Sequence, residues 1–140
     1  MKINGLWILT AFVEYNYLYF NNELPTPEFG IMHGCRTLGY FSVQRDAPIG
    51  LTEKIEISDF YDYTEEEFRD VLVHEMVHYY LYYTGEDTRI RHGKAFKRMA
   101  TWLNNEYDLN ITKYIDISHM KACDDAPWLS RILFRYFYAA

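Results

Sequence analysis

The stretch TEEEFRDVLVHEMVHYYLYYTG, residues 64–85, decides how this chain is read. Thr64 followed three residues later by Glu67 is the pattern of a capping box, in which hydroxyl and carboxylate each satisfy a backbone N–H of a helix's first turn. Glu65, Glu66 and Glu67 add negative charge at the positive end of the helix dipole. From Val71 onward apolar residues fall on nearly every side, and Thr84-Gly85 supplies a stop. The spacing therefore predicts a helix that starts at the Thr64 cap, runs from Phe68 to about Tyr83, and lies inside the protein.

Within that helix stands His74-Glu75-Met76-Val77-His78. Residues four apart lie one turn above each other, so both imidazoles project from one face and can grip one metal ion. Glu75 then falls beside the open coordination position, where a base can take a proton from water activated by the ion. Burying two imidazoles and a carboxyl without partners would cost about 1–3 kcal/mol each. A divalent cation removes much of that cost.

A catalytic zinc site takes three protein ligands and keeps a fourth position open. The pattern that continues to a Gly and a further His is absent, because Leu81 and Thr84 occupy those places. A distal Glu would fall near Arg98, where the sequence is basic. His92, Glu86 and Asp87 remain. His92 is favoured because the loop after the helix can return well over about 20 Å at about 3.3 Å per residue. Gly93 beside it also lets backbone approach the site. His33 and His119 are isolated and are read as non-ligands.

Outward from this helix, Leu6, Leu9, Val13, Tyr17 and Phe20 recur at near-helical spacing ahead of Asn21-Asn22, which predicts a first helix docked on a core by those residues. Phe29–His33, Leu38–Val43 and Lys54–Ile57 are short β-prone runs separated by Gly and Pro, suited to a small, mostly antiparallel sheet. A last periodic helix is expected from about Gly93 through Phe96, Leu103 and Tyr107. Beyond it, Asp124-Asp125-Ala126-Pro127 resembles a helix start, with Leu129, Ile132, Leu133 and Phe137 on one face. That tail is expected to pack on the protein.

At 140 residues, with 49% apolar and 19% aromatic content, one α+β domain can bury a sufficient core. The formal charge of −6 argues against a surface built for broad binding to nucleic acid backbones. A local run of Arg89, Arg91, Lys94, Lys97 and Arg98 is the exception, read as a solvated helix face or a small positive patch. Cys35 and Cys123 are single and far apart, which suits a reducing cytoplasm. The apolar start around Leu6–Leu9 runs into Glu14 and Asn16 without a cleavage site, and no membrane span is expected.

Several blocks together resemble the SprT-like family of zinc peptidases, which includes the Spartan-type proteases. They are YNYLYFNNELP at 15–25, LGYFS at 38–42, IEIS at 55–58, HEMVH at 74–78 and HGKAF at 92–96, within residues 10–112. The resemblance implies a zincin-like (minigluzincin) α+β domain over residues 1–115: a helix, a small sheet, the HExxH helix and a following helix that delivers the third His. Residues 116–140 are expected to form a C-terminal helical extension packed on the same domain. It further implies His74, His78 and His92 as ligands of Zn2+, Glu75 as catalytic acid and base, and a protein or peptide substrate. Spartan-type members cleave proteins crosslinked to DNA, so DNA-associated proteins are one implied substrate class. This acidic chain, however, lacks the Cys-rich zinc ribbon that many members append, and kinship of fold does not fix a substrate. The alternative is a non-catalytic, zinc-stabilised module that binds protein or DNA. Support for the oxyanion is left open among Arg89, Arg91 and the tyrosines, as is the oligomeric state.

Overall fold

The computed structural model describes residues 2–46, 48, 50–86 and 89–124. Asn4 opens the first helix, its Oδ1 accepting the Trp7 N–H at 2.8 Å. Helix α1 spans Gly5–Tyr19 and ends where Asn21 and Asn22 both take positive φ. Its buried face is Ile8, Ala11, Phe12 and Asn16. This corrects the expected docking face, since Leu6, Val13 and Tyr17 are 73%, 53% and 73% exposed. Helix α1 is apolar nearly all round, so periodicity could not choose a side. The polar Asn16 interrupts the true stripe. It is buried because its Nδ2 donates to Leu24 O at 2.9 Å while its Oδ1 accepts the Leu24 N–H at 3.2 Å.

Three strands follow, β1 (Glu28–Met32), β2 (Gly39–Asp46) and β3 (Gly50–Ser58), in spatial order β1-β3-β2. Strand β2 pairs antiparallel with β3, from Gly39 opposite Ile57 to Asp46 opposite Gly50. Strand β1 pairs parallel with β3, Glu28 opposite Lys54 through Met32 opposite Ser58. The sheet is therefore mixed. The segment joining β1 to β2 passes across the end of β3, and among the described residues β2 is an edge strand.

Helix α2 spans Glu65–Tyr83 and begins with the expected capping box, Glu67 N–H to Thr64 Oγ1 at 3.1 Å and Thr64 N–H to Glu67 Oε2 at 3.2 Å. Every residue from Val71 to Tyr79 is buried. Helix α3 spans Lys94–Tyr107, buries Phe96, Ala100 and Leu103, and stops at Asp108 in the left-handed region. Helix α2 packs against β2, β3, α1 and α3, so among the described residues it forms the centre of a small α+β domain of three helices and three strands. No helix among the described residues is long and apolar enough to cross a membrane.

After α3 the chain crosses back to the start of α2. Asp62 N–H donates to Lys121 O and Cys123 N–H to Phe60 O, each at 2.7 Å, so residues 121–123 are stitched to the domain. The expected closing helix beyond Asp124 lies outside the described residues, as does Asp87.

Candidate metal centre

His74 and His78 stand in the buried run of α2, and the turn before α3 brings His92 to them. The Nε2 atoms of His74 and His78 lie 3.2 Å apart, those of His74 and His92 3.2 Å, and those of His78 and His92 3.3 Å. Three imidazole nitrogens tip to tip cannot all hydrogen-bond one another, because each pair needs one donor and one acceptor. A tetrahedral ion with metal–nitrogen distances of about 2.0–2.1 Å separates its nitrogens by about 3.3–3.4 Å. The observed triangle matches that spacing, so His74, His78 and His92 form a group that can hold a metal ion. Of the candidates for the third position, Glu86 is exposed and stands outside this group.

The surroundings fix the rings. Thr112 O accepts from His74 Nδ1 at 2.9 Å, which leaves the Nε2 lone pair of His74 facing the centre. Phe96, 2% exposed, packs under all three imidazoles with ring centroids 4.8, 4.8 and 4.9 Å away. Burial is the main influence holding His74 down at about 4 and His78 at about 3, reinforced by the neighbouring imidazoles. His92 is shifted the same way by burial and by the charges of Arg91 and Lys113. All three are therefore kept in the neutral form that a cation needs.

Glu75 is buried but is outside the nitrogen triangle. Burial pushes its carboxyl up to about 7, against the opposing effects of the Arg91 charge and of a backbone hydrogen bond from Phe41. Gly39 makes room for it: a Cβ there would stand 2.9 Å from Glu75 Cγ and 3.0 Å from its Oε1. Thr112, Gly39 and Phe96 are thus contributors that motif spacing alone does not reveal.

The centre opens into a cleft of about 420 Å³ bounded by β2, by Arg91 and His92, and by Lys113 and Tyr114. Ser58 N–H donates to Leu38 O, so alternation along β2 turns the backbone groups of Gly39 and Phe41 toward the open edge of the sheet. Arg91 has left the exposed basic face formed by Lys94, Lys97 and Arg98. Its guanidinium lies 4.5 Å from the Tyr40 ring centroid and donates to Phe41 O at 3.4 Å.

The arrangement agrees with a family likeness. The sequence model of the SprT-like family matches residues 8–115, so the chain belongs to that family. Among curated proteins, none matches the chain.

Proposed function

We propose that this SprT-like family member is a zinc-dependent metallopeptidase in which His74, His78 and His92 hold the ion and Glu75 moves the proton. The observation that carries this reading is the triangle of Nε2 atoms with a buried carboxyl beside it, opening on a cleft along an edge strand. Three imidazoles with an open side suit a hydrolytic zinc better than a closed structural one, which takes four protein ligands. Bound zinc supplies Lewis acidity, acidifying water and polarising a peptide carbonyl.

Glu75 accepts a proton from water at its carboxyl oxygen and passes it to the leaving amine nitrogen. Burial raises the proton affinity of this carboxyl in the metal-free protein, which favours its taking the proton, while the charge of a bound dication would favour its release. Gly39 and the Phe41 amide hold the carboxyl against β2. An extended substrate adds to β2 through the outward backbone groups of Gly39 and the carbonyl of Phe41, which places its peptide bonds beside the three imidazoles. Cys35 and Cys123, both buried and far apart in sequence, suit a reducing cytoplasmic setting.

The test is zinc content per chain together with hydrolysis of an unfolded protein by wild type and by Glu75→Gln, with and without DNA. The reading expects about one zinc in both proteins and hydrolysis lowered by at least about 10²-fold in the variant. Equal hydrolysis in both sinks it. Zinc retained without hydrolysis in either supports the non-catalytic binding module instead. Stimulation of the wild type by DNA is expected only if DNA-associated proteins are the natural substrates.

A further inference from the structure

The protein carries 20 acidic against 14 basic side chains, yet the cleft over the metal centre has the opposite balance. Among the described residues its charged lining is Arg36, Arg91 and Lys113, and the one acid is the buried Glu75. The three cations come from separate segments: the connection between β1 and β2, the turn before α3, and the chain after α3. Among the described residues none of them has a carboxylate at ion-pair distance. Two are instead held by aromatic rings, Arg91 over Tyr40 and Lys113 Nζ 5.1 Å from the Tyr114 ring centroid. A ring positions a cation without neutralising it. Neutral imidazoles do not cancel the charge of a dication, so metal loading makes the cleft more positive. Low-dielectric walls focus such a field onto whatever enters.

We propose that the cleft selects extended peptide segments bearing Asp or Glu beside the scissile bond. The inference rests on the peptidase reading above and adds its substrate class. A peptide lying along β2 passes Arg36 toward one end and Arg91 near Phe41, in a cleft that Lys113 also lines. The guanidinium of Arg91 sits at the outer limit of hydrogen bonding to Phe41 O, so it can turn to a substrate carboxylate at small cost and free that carbonyl for pairing. A peptide rich in Lys or Arg meets like charge at all three places. Nucleic acid is the other polyanion to consider. Three cations around a pocket of about 420 Å³ lack the long basic track that backbone binding needs.

The experiment uses the zinc-loaded full chain and three dodecapeptides with one apolar centre, flanked by Glu, Gln or Lys. Cleavage is followed by mass spectrometry, and affinity by fluorescence anisotropy with Glu75→Gln protein. The Glu peptide is expected to exceed the Lys peptide by at least about tenfold in kcat/KM and in affinity at low salt, a gap that narrows at high salt. The double change Arg36→Glu with Lys113→Glu is expected to abolish or invert the preference while zinc content is kept. Equal treatment of the Glu and Gln peptides, or a preference for Lys, overturns the inference. So does a single-stranded oligodeoxynucleotide that displaces the Glu peptide at a lower concentration than unlabelled Glu peptide does. If no peptide is cleaved, the peptidase reading fails, and the anisotropy arm still decides whether the cleft selects acidic chains.

Discussion

Gly39 lies against Glu75 so closely that a single added methyl would stand 2.9 Å from the glutamate's Cγ. The contact joins the edge strand to the buried helix at the carboxyl that is proposed to move the proton. Since Glu75 is buried, a side chain at residue 39 is accommodated by shifting the carboxyl or the strand.

Gly39→Ala is therefore expected to lower kcat by about 10–100-fold, the scale of a misplacement of about 1 Å, while zinc content stays at wild-type level. Overpacking is expected to cost about 1–3 kcal/mol of stability. Steady-state kinetics beside metal analysis checks this. An alanine variant with unchanged kcat would show that the carboxyl does not depend on this contact.

Metal removal is the second expectation. Anything that binds only the folded state stabilises it, by about 2.7 kcal/mol at a free concentration one hundred times its dissociation constant. Chelation is expected to lower the unfolding midpoint of the wild type, and added zinc to restore it. His92→Ala removes one corner of the nitrogen triangle, so its midpoint should respond far less to zinc. Calorimetry with and without chelator distinguishes the two proteins, and an equal zinc response would remove His92 from the ligand set.

The legible part of this fold was the part where local and tertiary demands agree. Thr64 and Glu67 announce the start of α2, and its all-round apolar character announces its burial, because both are written within one element. His74 and His78 are fixed by helical spacing alone. His92 needed the loop's reach and Gly93 to be favoured over Glu86 and Asp87, and the structure places it with the pair. The buried side of α1 was hidden because its stripe contains Asn16, which is satisfied by Leu24 eight residues onward. The parallel pairing of β1 with β3 was also hidden, since pairing depends on where strands meet in space. Gly39 and Thr112 reach the site by the same long-range route.

Asn16 gives the third expectation. Replacing it with Ala leaves Leu24 N–H and O buried without their partners, a loss of about 1–3 kcal/mol. Asn16 is distant in sequence from every proposed ligand, and the loop it holds is outside the cleft lining. Denaturant midpoints should fall while kcat of the folded protein is unchanged. Wild-type stability in Asn16→Ala would mean that water replaces both hydrogen bonds.

The acid sensitivity of the metal-free protein follows from the imidazoles. His74 and His78 are held at about 4 and about 3, against an ordinary value of 6.5, chiefly by burial. The unfolded chain therefore binds more protons than the folded one below about pH 6.5, so the stability these groups allow at neutral pH is lost as pH falls toward 4. Glu75 acts in the opposite sense. Its folded value of about 7 exceeds the ordinary 4.5, so its contribution is complete below 4.5 and is lost as pH rises through 7. Between pH 4.5 and 6.5 two imidazoles outweigh one carboxyl, and the net is a falling stability of the chelated protein with acid. Glu75→Gln removes the opposing group, so its acid loss in that window is expected to be steeper than that of wild type. Urea midpoints of both proteins in chelator at pH 7, 6, 5 and 4 check the sign. Midpoints that stay level down to pH 4.5 in Glu75→Gln would mean that the imidazoles reach solvent and titrate normally in the folded state.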